Sequence, residues 1–174
     1  MDFFQGVVVD YLRANRACFV NSEYLIQLDP GRVYLKNRHW YCDAVVIDHQ
    51  KREVRLVEIT YNATLQTVVN RLKAWAMNWP LVQTAIRRDS FLQGDWTFCP
   101  QIFVPDSLVP LFERKLAMLL PSWETLEDAM PRPAVVRLEE VLPWKYRSWD
   151  GTRYEDDAIL KKADGAADAE GLVE

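Results

Sequence analysis

Residues 41–60, YCDAVVIDHQKREVRLVEIT, hold two runs rich in β-branched residues on either side of the polar tetrapeptide His49-Gln50-Lys51-Arg52. Trp40 to Asp48 and Glu53 to Thr60 therefore predict a β-hairpin. A symmetric turn sets Asp48 opposite Glu53, and the same register sets Asp43 opposite Glu58. Side chains alternate with a period of two, so Glu58 and Thr60 share a face with Val54 and Leu56, and Asp43 shares one with Tyr41, Val45 and Ile47. Two carboxylates opposed on an otherwise apolar face repel, unless one is protonated or a cation lies between them. A divalent ion resolves the conflict. Hard oxygen donors suit magnesium or manganese, which keep several waters and often use only one or two carboxylates. The plain alternative is a strand that ends at surface carboxylates, with one bulge enough to carry either acid to the other face.

On the N-terminal side, Phe4, Val7, Val8, Tyr11 and Leu12 form one helical stripe, which predicts a helix over 3–16 with Asp2 as N-cap. The segment EYLIQLDPGRVYLKN alternates around Asp29-Pro30-Gly31, the signature of a first hairpin. On the C-terminal side, Leu65, Val68, Val69, Leu72, Trp75, Ala76 and Trp79 make a broad apolar helix face, with Thr64 as its cap. Pro80 breaks that helix and opens a second one. WTFCPQIFVP reads as a strand whose internal Pro100 predicts an edge or a bulge. DSLVPLFERKLAMLLPSW is a further amphipathic helix, and AVVRLEEVLPWKYRSW a short strand plus an aromatic-rich extension.

This order of helix, antiparallel strands with Asp43 and then Glu58-Ile59-Thr60, helix and strand resembles the core of the PD-(D/E)xK nuclease superfamily, an α/β restriction-endonuclease-like fold. The likeness rests on Asp43, fourteen intervening residues, Glu58-Ile59-Thr60 and the helix from Thr64, and it covers about residues 3–104. It implies metal-assisted hydrolysis of DNA or RNA phosphodiesters, with Asp43, Glu58 and the Ile59 carbonyl on Mg²⁺ or Mn²⁺ and a lysine two residues after the Glu to activate water. Thr60 stands in that lysine's place. A hydroxyl can bind a water but carries no positive charge to stabilise a hydroxide. Some members are similar in supplying the lysine from the following helix; here Lys73, on one face with Gln66 and Asn70, takes that part, with Arg71 as the other cation. The plain alternative for Lys73 is a solvated helix lysine. Asp10 and Glu23 are the third acids available.

Arg71, Lys73, Arg87 and Arg88 line the helical region after the motif, and with Lys51 and Arg52 they offer contacts to a phosphate backbone. Two functions follow: a magnesium-dependent nuclease, and an inactive relative that binds nucleic acid or a protein partner. A third is an unrelated α/β interaction module. His39 and His49 are the only histidines, and no metal triad is built from them. No glycine-rich phosphate loop or nucleophile elbow is present.

The chain of 174 residues, 49% apolar with seven Trp, suits one domain over 1–160: the core, an extension over 105–160, and an acidic tail over 161–174. The net charge of -4 belongs to the C-terminal third. Residues 1–120 carry 14 Lys and Arg against 12 Asp and Glu, whereas residues 121–174 carry 7 against 13. Trp144 and Trp149, near Lys145 and Arg147, are the aromatic residues suited to stacking or docking. Three widely spaced cysteines fit neither a disulfide framework nor a metal knuckle and predict reduced thiols. No apolar run reaches bilayer length, and MDFFQG lacks a basic signal-peptide start, so a cytoplasmic protein is expected.

Overall fold

Five strands form one mixed sheet in sequence order: β1 (Cys18–Gln27), β2 (His39–Asp48), β3 (Glu53–Ile59), β4 (Thr97–Val104) and β5 (Ala134–Arg137). This α/β architecture comes from a computed structural model, which describes residues 3–31, 38–123, 125–126 and 128–141. The first three strands are antiparallel, while β4 runs parallel to β3 and β5 parallel to β4. Parallel neighbours need a crossover. Here α2 (Gln66–Met77) and α3 (Trp79–Asp89) carry the chain from β3 to β4, and α4 (Val109–Trp123) carries it on towards β5. The N-terminal α1 (Phe3–Arg13) precedes β1. No helix among the described residues is long and apolar enough to cross a membrane.

The sheet is covered on both faces. Leu72, Trp75, Trp79 and Phe112, from α2, α3 and α4, pack on Ile26, Val45, Val54 and Leu56 to make the larger core. On the opposite face Val8, Val9 and Leu12 of α1 pack on Ala44, Val46, Val57 and Phe103. Burial of both faces explains why the end of β3 reads as a continuous apolar run broken only by Glu58.

The predicted hairpin register is the observed one, from Asp48↔Glu53 to Ala44↔Val57. Residue Asn78 separates α2 from α3, and Pro80 lies in the first turn of α3, where its missing N–H costs no helical hydrogen bond. The α2 cap differs from expectation: Leu65, in the left-handed region, occupies it, although Thr64 Oγ1 still accepts from Gln66 N at 3.4 Å. The first strand starts at Cys18 rather than Glu23, and residues 32–37 of the expected hairpin lie outside the described residues. β4 is not an edge strand, which corrects the reading of Pro100. That proline pairs with Leu56 of β3, but pairing to β5 begins only at Gln101, so its missing donor coincides with a stretch of β4 that β5 does not reach.

Candidate functional site

The β2–β3 ladder stops at Ala44↔Val57, one step short of Asp43 and Glu58. β1 and β2 also lose their pairing at this level. Ser22↔Ala44 and Tyr24↔Cys42 are paired, Glu23 and Asp43 between them are not, and Glu23 has φ 54. Alternation consequently slips along β2: Cys42 and Val45 face the larger core, whereas Ala44 and Val46 face α1. The expectation that Asp43 shares a face with Val45 and Ile47 is corrected by this slip. Its carboxylate accepts from Gln5 Nε2 of α1 at 2.8 Å, and its other oxygen accepts from the backbone N–H of Ile59 at 2.7 Å.

Glu58 belongs to the opposite layer. It is 5% exposed and accepts from Arg71 Nη1 of α2 at 2.8 Å. Arg71 also donates to the Tyr41 carbonyl. The Asp43 backbone N–H donates to the Glu58 carboxyl, so the two acids exchange places with the missing ladder. Asp43 takes the Ile59 N–H and Glu58 takes the Asp43 N–H. Burial pushes the Glu58 pKa up to about 8, with Asp43 adding to the rise and Arg71 opposing it. Cys42, fully buried beside them, has its thiol pushed well up by burial and by both carboxylates.

The cations fall differently from expectation. Arg71 reaches Glu58, whereas Lys73, two residues and about 200° further round the helix, is exposed. Thr60 donates its backbone N–H to the Phe103 carbonyl at 2.9 Å. Arg87 donates to the Gly94 and Trp96 carbonyls at 2.8 and 3.1 Å and lies 4.9 Å from the Phe98 ring centroid. Arg88 pairs with Asp89 at 2.6 and 2.8 Å and donates to the Gln27 carbonyl at 2.8 Å. Of the four helical cations among the six expected on a phosphate backbone, Arg71, Arg87 and Arg88 make these contacts within the protein. Asp10 and Glu23 are exposed.

Among the described residues, no three His, Cys, Asp or Glu side chains come together to hold a metal; a magnesium site on two carboxylates needs no third. The test of fit lies instead in the partners. A shared dication needs both carboxylates turned to one point, whereas Asp43 engages α1 and Glu58 engages α2. As arranged, each carboxylate is already engaged by the protein, Asp43 by Gln5 and the Ile59 N–H and Glu58 by Arg71. Gln5 was not singled out from the sequence, and a polar residue within a helical stripe carries no signal of a strand partner 38 residues away. Trp144 and Trp149 lie outside the described residues. Comparison with protein-family models, with curated proteins and with solved structures finds no match.

Proposed function

We propose that this chain is a nuclease-like α/β domain that binds nucleic acid, DNA in the first place, without hydrolysing it. The observation that carries this reading is the engagement of both motif carboxylates inside the protein: Glu58 with Arg71 of α2, and Asp43 with Gln5 and the Ile59 N–H. A guanidinium lies against Glu58 where catalysis would need a dication, and the motif position of the water-activating lysine is Thr60, which brings no charge. Support for the restriction-endonuclease-like core comes from the order helix, three antiparallel strands, helices, and a strand parallel to the third. The expected protein-docking segment after Val141 lies outside the described residues.

Metal-dependent hydrolysis by Asp43, Glu58, the Ile59 carbonyl and Lys73, with Mg²⁺ or Mn²⁺, is the second reading. It is favoured by the closeness of the two acids at the end of the β2–β3 ladder and by the burial of Glu58. It requires Arg71 to leave Glu58 and Asp43 to turn from α1.

Both readings meet in one experiment. Calorimetric titration with Mn²⁺, and incubation of labelled single- and double-stranded DNA and RNA with Mg²⁺ or Mn²⁺, are run on the wild type, Asp43→Ala and Lys73→Ala. The binding reading expects retained DNA binding, no cleavage and no metal uptake that Asp43→Ala abolishes. Cleavage lost in Asp43→Ala would establish the second reading in its place, and absence of any nucleic-acid binding removes both.

A further inference from the structure

A concavity lies at the other end of the hairpin, between β1, β2 and the loop from α3 to β4, with a volume of about 460 Å³. Its wall is a row of rings meeting edge to face: Phe19 and His49 have centroids 5.3 Å apart, and His49 and Trp96 5.2 Å. Phe19 is 68% exposed and Phe91, which also lines the cleft, 85%. Neither ring is held there by burial.

Phe91 is the more informative of the two. It follows the C-terminus of α3 with φ 52, and Leu92 N–H returns to the Arg87 carbonyl, the 6→1 bond of a glycine-type helix stop. Glycine is the ordinary occupant of such a position because a Cβ is strained there. A large ring stands at a strained backbone position, 85% exposed, and belongs to neither core among the described residues. The loop behind it is rigidly held: Arg87 ties the Gly94 and Trp96 carbonyls, and Arg52 ties the Gln93 carbonyl.

The polar groups select the ligand. Asn21, Ser90 and Gln93 offer amides and a hydroxyl, each able to donate and accept. The one carboxylate, Asp89, is neutralised by Arg88, which disfavours a cationic ligand in the aromatic cleft. Cations lie near the cleft, with Arg52 5.8 Å from the Trp96 centroid and Lys51 beside it in the turn, and the exposed Asp95 precedes Trp96 in the loop. Flat faces, two-way hydrogen-bonding groups and the cations of the nearby turn match a nucleobase with its phosphate. We infer that this cleft stacks an unpaired base of a single-stranded nucleic acid between Phe91 and the Phe19–His49–Trp96 wall. The inference rests on the nucleic-acid reading above and narrows its substrate to strands with unstacked bases.

The test is fluorescence anisotropy at fixed salt with a labelled oligothymidylate, the same strand made abasic, and a duplex. Phe91→Gly and Phe19→Ala are the variants, chosen because both rings are exposed and the first substitution relieves backbone strain. The wild type is expected to prefer the intact single strand. Each variant should weaken it about tenfold, the scale of one stacked base, and the abasic strand should be weakened similarly for the wild type. Variants that bind like the wild type, or intact and abasic strands that bind alike, overturn the inference while leaving nucleic-acid binding intact. A wild type that binds neither strand nor duplex overturns the broader reading together with it.

Discussion

Asp48 and Glu58 are both buried carboxylates on one hairpin, 2% and 5% exposed, yet their acidities move in opposite directions. Burial raises both. At Asp48 it is outweighed by hydrogen bonds from the Lys51 and Gln50 N–H groups, each 3.0 Å from Oδ1, and from the Cys18 thiol, so the net shift is downward. At Glu58, burial and Asp43 outweigh Arg71, and the pKa rises to about 8. The folded protein therefore binds more protons at Glu58 than the unfolded chain between the ordinary value of 4.5 and about 8. The contribution of Glu58 to stability is fully present below that window and is lost as pH rises through it, with a slope of up to about 1.4 kcal/mol per pH unit. Urea unfolding at several pH values across the window should show the decline in the wild type and a flatter profile in Glu58→Gln; equal slopes would remove Glu58 as the cause. Above about pH 8, where Glu58 is ionised, Arg71→Met should cost about 3 kcal/mol by leaving that charge buried without its partner, and the cost should shrink at lower pH. The double variant with Glu58→Gln should recover most of that loss, and a double variant no more stable than Arg71→Met would contradict the pairing.

The elements show where strain is tolerated. α3 ends on Phe91 with φ 52, and α2 begins on Leu65 with φ 56. Leu65 is fully buried in the larger core, so its side chain offsets the strained backbone. Phe91 has no such compensation, and Phe91→Gly should raise stability by about 1 kcal/mol, read as a higher thermal midpoint. A lower midpoint would mean that the ring packs on the fold after all. In the loop beyond it Gly94 has φ 76, a backbone position that favours glycine, and a Cβ there would also displace the Arg52 guanidinium. Pro80 announced the start of α3 in the sequence because its geometry is local. The two left-handed caps were not legible, since Leu and Phe at a helix end carry no mark of a positive φ.

At the scale of the molecule, the sheet separates two cores that share no side chain among the described residues. Val8 of α1 belongs to one and Leu72 of α2 to the other. Val8→Ala should cost about 2 kcal/mol and Leu72→Ala about 3 kcal/mol. With β2 and β3 between them, the losses should add to within about 0.5 kcal/mol in the double variant. A larger coupling, measured by denaturant unfolding, would mean that the strands transmit packing from one face to the other. Within that sheet β4 is interior despite Pro100, because β5 pairs only from Gln101 onward.

Pattern along the chain was enough to establish the element order, the turn at residues 49–52, the register of β2 against β3 and the apolar faces of the helices. Each follows from neighbours within a few residues and from the periods of strand and helix. What Asp43 and Glu58 do was beyond that reach. The register continued correctly towards them, but a break at Glu23, on a different strand, turned Asp43 towards Gln5, and Arg71 came to Glu58 from the following helix. A carboxylate's role depends on which charges and donors surround it in space, and those came from α1, β1 and α2, segments that only packing brings together.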